Sequence, residues 1–296
     1  MKYLVVAIPN DQELASWLGK KGGENGITFY NRRVEDTVIT ILTPSNLNEK
    51  FYALGEILTL SDIVIISTKN IDADFGESVI SASLLSKKVL FTNDNDISSI
   101  IGKISLNNKI IEKEHVLDEL IAISNEKKSE DELLIDIDKV FPVKGVGLVL
   151  LGIVRSGTVK VHDKLYTRAG KEVQVRSIQV QDEDRELAEK GARVGLAVKG
   201  IEEKDIEKGE LLSKKQIKEI SEFEATLSIS PLQKEISEEM QYTLIRGFDT
   251  VPCKIIAIEK QKSLYKIKLG KAIQINKNDP AVIIKERSPK TFGAIK

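Results

Sequence analysis

Apolar positions in the first part of the chain alternate between short continuous runs and runs with helical spacing. The runs of β-branched residues that predict buried strands are residues 3–8, 37–42, 62–67 and 88–92. The segments whose apolar residues repeat at helical intervals are residues 47–58, 77–85 and 116–125. Strands that alternate with helices favour a mostly parallel sheet covered by helices on both faces.

Beyond residue 133 the pattern predicts strands alone. Residues 158–162 alternate apolar and polar positions, and the two alternating stretches on either side of Arg176 and Ser177 are out of phase, which predicts a β-bulge there. Residues 126–132 (EKKSEDE) have no apolar anchor and are expected to be a linker. We therefore predict an α/β domain at 1–126 and two all-β domains at 133–214 and 219–296.

Glycines interrupt the apolar runs between residues 140 and 165, at Gly145, Gly147, Gly152 and Gly157. Glycine weakens a strand unless the backbone bends sharply or passes close to another segment. Repeated glycines in one short stretch therefore predict a small closed barrel with several corners.

These glycines also carry a resemblance to a known family. The region is similar to the second domain of translational GTPases, such as elongation factor Tu and the selenocysteine-specific elongation factor. The matching positions include Val140, Phe141, Gly145, Gly147, Val149, Gly152, Val154, Gly157, Val159, Asp163, Leu165, Gly191, Gly195, Gly209, Leu211 and Leu212. The resemblance implies a Ras-like α/β domain followed by two β-barrels. The chain end, with Arg287 and then Thr291, Phe292, Gly293 and Ala294, resembles the closing strand of the third domain.

The family's phosphate loop has no counterpart after the first predicted strand. That loop needs G-x-x-x-x-G-K-[ST], whose glycines and lysine surround the phosphates. Here residues 8–14 read IPNDQEL, with no glycine or lysine, and Pro9 lacks an amide donor. Asp11 and Glu13 place negative charge where a phosphate needs positive field. We therefore expect a degenerate GTPase domain, no catalytic residues and no cofactor, with GTP or GDP binding kept as an alternative.

The family's other nucleotide motifs are altered as well. Leu42, Thr43, Pro44, Ser45 and Asn46 stand where the family has Asp-x-Pro-Gly-His.

The guanine-reading motif Asn-Lys-x-Asp is replaced by residues 93–96, Asn-Asp-Asn-Asp. Asn93 and Asp96 keep the two reading residues and are the candidate residual guanine site. The alternative is a polar turn after a strand, which Asn and Asp favour.

Composition excludes several other classes of function. The single cysteine, Cys253, excludes an intramolecular disulfide and, next to an apolar strand, is expected to be a buried structural thiol. The first residues carry neither a signal peptide nor a membrane span, so a cytoplasmic protein is expected. His115 and His162 have no neighbouring ligands, so we predict surface histidines and no metal site.

Charge is divided unevenly along the chain. Residues 1–130 hold 14 Lys and Arg against 19 Asp and Glu, whereas the remainder hold 30 against 26. A mildly basic second part is compatible with RNA contact, although a solvated surface is the alternative. At the positions of the family's aminoacyl pocket, Gln179, Asp182 and Arg193 change its character, so capture of an aminoacylated end is not expected. The candidate RNA contacts are Arg155, Lys160, Arg168, Lys171, Arg176 and Arg193.

Taken with the resemblance, these features predict a translation elongation factor-like protein without GTPase chemistry. Its barrels are expected to bind transfer RNA, the ribosome or another ribonucleoprotein, and other translation proteins are further candidate partners. No membrane or DNA partner is expected. Two alternatives stay open, a divergent guanine-nucleotide switch and a protein–protein adaptor that binds no RNA.

Overall fold

The computed structural model describes residues 1–45, 51–102, 104–125, 131–233, 236, 237, 239–275 and 279–295. Within these ranges a mixed sheet flanked by helices is followed by two antiparallel sheets that curl on themselves, so the predicted fold class is confirmed. No helix in the described ranges is long and apolar enough to span a membrane. Most of the predicted linker, residues 126–130, lies outside these ranges.

The N-terminal sheet is mostly parallel, as predicted. Its strands are β1 (Lys2–Ala7), β2 (Lys20–Glu24), β3 (Ile27–Val34), β4 (Thr37–Pro44), β5 (Ile63–Ile66), β6 (Lys88–Thr92) and β7 (Asn107–Ile111). Their order in the sheet is β2-β3-β4-β1-β5-β6-β7. All neighbours from β4 to β7 are parallel, while β2 and β3 form an antiparallel extension at one edge.

Helices cover both faces of this sheet. They are α1 (Gln12–Leu18), α2 (Tyr52–Leu60), α3 (Ala73–Leu84), α4 (Ser98–Ile101) and α5 (Val116–Ser124). Helices α1 and α5 pack with one face, and α2 and α3 pack with the other. Helix α3 begins earlier than the apolar spacing predicts, because the Asp72 side chain accepts a hydrogen bond from the Phe75 amide and starts the helix there. Residue 47, where the predicted helix 47–58 begins, lies outside the described ranges.

The next sheet forms the first barrel. Its strands, with a small two-stranded ribbon of β10 and β14, are β8 (Leu134–Val143), β9 (Gly147–Ser156), β10 (Thr158–Lys160), β11 (Lys164–Tyr166), β12 (Glu172–Val180), β13 (Glu183–Arg185), β14 (Leu187–Glu189), β15 (Arg193–Lys199) and β16 (Leu211–Leu212). The strand order is β11-β12-β15-β9-β8-β16, and a bridge between Tyr166 and Ser213 joins the two ends of this order. The predicted bulge in β12 is confirmed between Val175 and Ser177.

Gly152 shows why this barrel needs glycine at a corner. A Cβ atom there would lie 2.5 Å from the Asp136 carbonyl oxygen on β8. The ladder between β8 and β9 shifts register beside this point, so the two backbones approach more closely than a side chain allows.

The last sheet forms the second barrel. Its strands are β17 (Glu219–Thr226), β18 (Ser228–Ile229), β19 (Tyr242–Arg246), β20 (Asp249–Glu259), β21 (Leu264–Gln274), β22 (Ala281–Ile284) and β23 (Thr291–Ile295). The strand order is β17-β21-β20-β19-β22-β23-β18. Because only Leu227 separates β17 from β18, one continuous segment pairs with both ends of the sheet and closes the barrel.

The N-terminal domain and the second barrel share a hydrophobic core. Ile245, Phe248 and Val282 of the barrel lie in the same buried cluster as Ile57 of α2 and Val79 of α3. The packing buries every residue of α2 from 53 to 60. These domains are therefore joined by core packing rather than by a flexible tether.

Candidate functional site

The carboxyl ends of β1, β5 and β6 form the edge of the sheet where the resemblance implies a nucleotide site. We call it the carboxyl edge, defined by residues 8–13, 67–69 and 93–96. The Asn10 side chain donates to the Ser67 carbonyl at 2.7 Å and accepts from the Ser67 amide at 3.0 Å. Asn10 therefore ties the β1–α1 loop directly to the end of β5.

The start of α1 is also closed by the chain itself. Asp11 accepts a hydrogen bond from the Leu14 amide at 2.8 Å, and Lys69 forms a 2.7 Å ion pair with Glu13. The cavity beside these residues has a volume of about 150 Å³. Pockets that enclose drug-sized ligands usually measure about 300–1,000 Å³. The carboxyl edge, as folded, is too small to enclose a nucleotide.

Asn93 and Asp96, the candidate guanine-reading residues, both bond within the chain. Asn93 donates to the Glu112 carboxylate at 2.6 Å, and Asp96 accepts from the Ser98 amide at 2.9 Å. Hydrogen bonds from the Ser98 side chain and amide lower the pKa of Asp96. These are the contacts of a polar turn, and a guanine base would have to displace them.

Arg155, one of the candidate RNA contacts, lies in a buried ion cluster between the barrels. Its guanidinium makes two hydrogen bonds to Asp136, at 2.7 and 2.8 Å, and lies 3.4 Å from Asp279. Asp136 also pairs at 3.0 Å with Arg246, and the side chains of both are 0% exposed. Arg155 is thus paired inside the protein with only 13% of its side chain exposed, and it is not a phosphate contact on the barrel surface.

Arg168 is likewise taken up by internal ion pairs. It joins the first barrel to the second through Asp249 at 3.0 Å and also contacts Glu207 and Glu219. Its side chain is only 12% exposed.

Arg193 connects the first barrel with the N-terminal domain. Its guanidinium lies 3.3 Å from the centre of the Phe29 ring and 3.1 Å from Asp138. Burial lowers the pKa of Arg193 and raises that of Asp138, so both charges are held at a desolvation cost that their pairing offsets in part. We therefore remove Arg155, Arg168 and Arg193 from the proposed RNA contacts.

The other three candidates lie at the barrel surface. Lys160 and Arg176 are exposed, and Arg176 donates to the Val146 carbonyl at 3.1 Å. Lys171 pairs with Asp205 at 2.6 Å but keeps half of its side chain in solvent. These residues are available to a phosphate group.

A second basic surface, which the sequence analysis missed, lies in a groove of about 670 Å³ between α2 and the second barrel. We call it the α2 groove. Lys290 lies 4.8 Å from the centre of the Phe51 ring, and Tyr52 is 46% exposed. Neither Lys285 nor Arg287 forms an ion pair with any described residue. Its lining includes Phe51, Tyr52, Met240, Lys285, Glu286, Arg287 and Lys290, so three cations face one carboxylate. The signal in the sequence was the cluster of three cations between β22 and β23, of which only Arg287 entered the sequence analysis, as part of the resemblance to the closing strand of the third domain.

Cys253 is buried, as predicted, and burial raises the pKa of its thiol to about 12, so it is not a reactive nucleophile at neutral pH. His115 and His162 are both exposed. The strand predicted at 158–162 ends at Lys160, and His162 follows it with a φ of +72°. Across the described residues, no group of three His, Cys, Asp or Glu side chains is placed to hold a metal ion.

Comparison with known proteins agrees with this architecture. The sequence profile of elongation factor Tu domain 2 matches residues 147–213, which cover most of the first barrel. An uncharacterized protein of Methanocaldococcus jannaschii is 30% identical over 278 residues, or 90% of either chain. The selenocysteine-specific elongation factor of the same organism is 31% identical over 214 residues, which are 70% of this chain and 45% of the factor.

A solved structure matches the whole fold. Translation elongation factor SelB from Methanococcus maripaludis, in complex with the GTP analogue GppNHp, superposes with a TM-score of 0.82 at 19% identity. The match covers 100% of this chain and 78% of that factor. The superposition shows the same fold. On the profile match and the sequence similarity, the chain belongs to the translational GTPase family.

Proposed function

We propose that the protein is an elongation factor-like RNA-binding protein that does not hydrolyse GTP, and that it acts in the cytoplasm as part of the translation machinery. Its similarity to elongation factors supports a place in translation. The self-bonded side chains at the carboxyl edge support the loss of nucleotide chemistry. Asn10, Asp11 and Glu13 lie in the segment after β1 where the family has its phosphate loop, and residues 8–14 contain neither glycine nor lysine.

The observation that carries the RNA-binding proposal is the α2 groove. There the cations Lys285 and Arg287 line the same groove as Tyr52, which is 46% exposed. Cations contact phosphates, and aromatic faces stack with unpaired bases, so this combination suits an RNA backbone with an accessible base. The groove also collects side chains from two domains, which gives one continuous binding surface across their boundary.

RNA binding is tested by fluorescence anisotropy with deacylated transfer RNA at several salt concentrations. The double variant Lys285→Ala, Arg287→Ala should bind more weakly and show a shallower salt dependence. If each cation contacts one phosphate, the slope of log affinity against log salt should fall by about 1.4–1.8.

The matched control removes one lysine and one arginine elsewhere, with Lys20→Ala and Arg32→Ala on the exposed extension of the N-terminal sheet. This control should bind as the wild type does. Equal binding by the groove variant and the wild type would remove the α2 groove from the proposal. No RNA binding by the wild type at low salt would favour the adaptor alternative.

A further inference from the structure

A separate cavity lies where the three domains meet, away from the carboxyl edge and the α2 groove. We call it the junction cavity; it has a volume of about 810 Å³. The end of α2, both segments that join successive domains and the loop before β22 contribute to it. Its charged lining residues are Asp62, Lys87, Asp131, Glu132, Arg155, Lys190, Lys215, Lys218 and Asp279.

Lys87 extends into this cavity from the turn after α3. Its ammonium donates to the Ser61 carbonyl at the end of α2, a position where a cation also meets the negative end of the helix dipole. The pKa of Lys87 is lowered to about 8, mainly by burial; Asp62 opposes the shift, and the charges of Lys190 and Arg155 add to it. The Lys87 ammonium is therefore buried in a region that holds two further cations.

Among the described residues, the charges around Lys87 do not balance. The described lining of the cavity includes five cations, Lys87, Arg155, Lys190, Lys215 and Lys218, and four carboxylates, those of Asp62, Asp131, Glu132 and Asp279. Behind the lining, Asp136 pairs with Arg155 and with the buried Arg246. The described lining therefore carries one more positive than negative charge, which favours an anion in the cavity.

The carboxylates already present are engaged elsewhere. Asp62 accepts a hydrogen bond from the Val5 amide at 2.9 Å and lies 3.9 Å from Lys190. Asp136 is shared between two arginines. The cavity has room for a further anion.

We propose that the junction cavity binds a small oxyanion, a phosphate or carboxylate compound, that contacts the Lys87 ammonium and bridges the three domains. This site is independent of the RNA-binding proposal, since it shares no lining residue with the α2 groove. An occupant there contacts all three domains at once, so binding stabilises their observed arrangement.

The test is titration calorimetry of the full chain at pH 8 and constant ionic strength, with sodium sulfate as the phosphate-like probe and sodium succinate as the carboxylate probe. Neither probe takes up a proton near this pH. An anion next to Lys87 raises the pKa of the ammonium, so binding should draw up to about half a proton from the buffer. The measured heat should then differ between two buffers of different ionisation enthalpy.

Lys87→Met should abolish this proton uptake and weaken binding about tenfold or more. Lys20→Met, on the exposed strand β2, is the matched control and should change neither. If Lys87→Met does not fold, Lys218→Met at the cavity rim should weaken binding while leaving the proton uptake in place.

Three results would overturn the proposal. One is no binding of sulfate or succinate by the wild type beyond that of chloride. Another is binding without any buffer-dependent heat. The third is loss of binding in the Lys285→Ala, Arg287→Ala variant, which would place the anion in the α2 groove. A response to only one probe identifies which class of oxyanion the cavity accepts.

Discussion

The carboxyl edge and the contacts between domains both use polar side chains, but under different conditions. At the carboxyl edge, Lys69 and Glu13 pair while 56% and 82% of their side chains stay in solvent. Between the domains, Asp136 and Arg246 pair with no exposure at all. An exposed pair contributes roughly 0–1 kcal/mol, whereas removing one partner of a buried pair costs about 3–5 kcal/mol.

The two regions also differ in how they contact the rest of the molecule. The carboxyl edge ends in short loops, and α1 beside it has only seven residues. On the α2 and α3 side, buried Glu77 accepts from the Thr291 amide at 3.0 Å, and Ser81 bonds to Thr291 at 2.7 Å. The N-terminal domain is therefore joined to the second barrel through α2 and α3, independently of the carboxyl edge.

The largest effect that tests this comparison is expected from Asp136→Asn. The substitution leaves Arg155 and Arg246 buried with one carboxylate fewer, and should lower the free energy of unfolding by about 3–5 kcal/mol. The same change at the carboxyl edge, Asp96→Asn, is the control and should stay within about 0.5 kcal/mol. Urea denaturation at pH 7 measures both free energies of unfolding. Equal midpoints for the two variants would contradict the larger cost expected at the buried pair.

A smaller effect is expected from glycine-to-alanine changes in the two helices. In α2, a Cβ at Gly55 would lie 2.6 Å from Ile245 Cδ1 and 3.1 Å from Ile245 Cβ. Gly55→Ala should therefore destabilise by about 1–3 kcal/mol, despite the helix preference for alanine. In α3, a Cβ at Gly76 meets nothing within 4 Å, so Gly76→Ala should stabilise by about 0.5–1 kcal/mol. Thermal unfolding measures both changes, as a lower unfolding temperature for Gly55→Ala and a higher one for Gly76→Ala. Stabilisation by Gly55→Ala would show that α2 does not pack tightly on the barrel.

The smallest effect is expected from nucleotide. Millimolar GTP with magnesium should leave the unfolding temperature unchanged, because the carboxyl edge offers only about 150 Å³ beside Asp11 and Glu13. A ligand at a hundred times its dissociation constant contributes about 2.7 kcal/mol, which thermal unfolding detects readily. A shift of several degrees that equimolar sulfate does not reproduce, or magnesium-dependent release of phosphate, would support the nucleotide-switch alternative instead.

Much of the fold was readable in the sequence because its signals are local. The apolar runs predicted four strands of the N-terminal sheet, and the phase change at Arg176 and Ser177 predicted the bulge in β12. Strand β2 was missed because its five residues are all exposed, so it has no apolar face to reveal it. Its partner β3 supplies the hydrogen bonds that make it a strand.

The sites were harder to predict because charge partners are far apart in the chain. Arg246 and Asp136 are 110 residues apart, and Arg168 and Asp249 are 81 apart. A basic residue therefore gives the same local signal whether it contacts RNA or a buried carboxylate. Lys285 and Arg287 were not proposed as RNA contacts for the converse reason, since only the fold places them in one groove with Tyr52 of α2.

The seating of β23 against α3 has a consequence for how the chain is made. Ser81 and Thr291 bond across 210 residues, and Thr291 begins β23, the last strand among the described residues. At ribosomal rates of about 5–20 residues per second, the apolar face of α2 and α3 waits roughly 10–40 s for its partner to be synthesised. During that interval the nascent N-terminal domain exposes the surface that will become core. The early chain is therefore most vulnerable to aggregation on the face that makes the finished protein most cohesive.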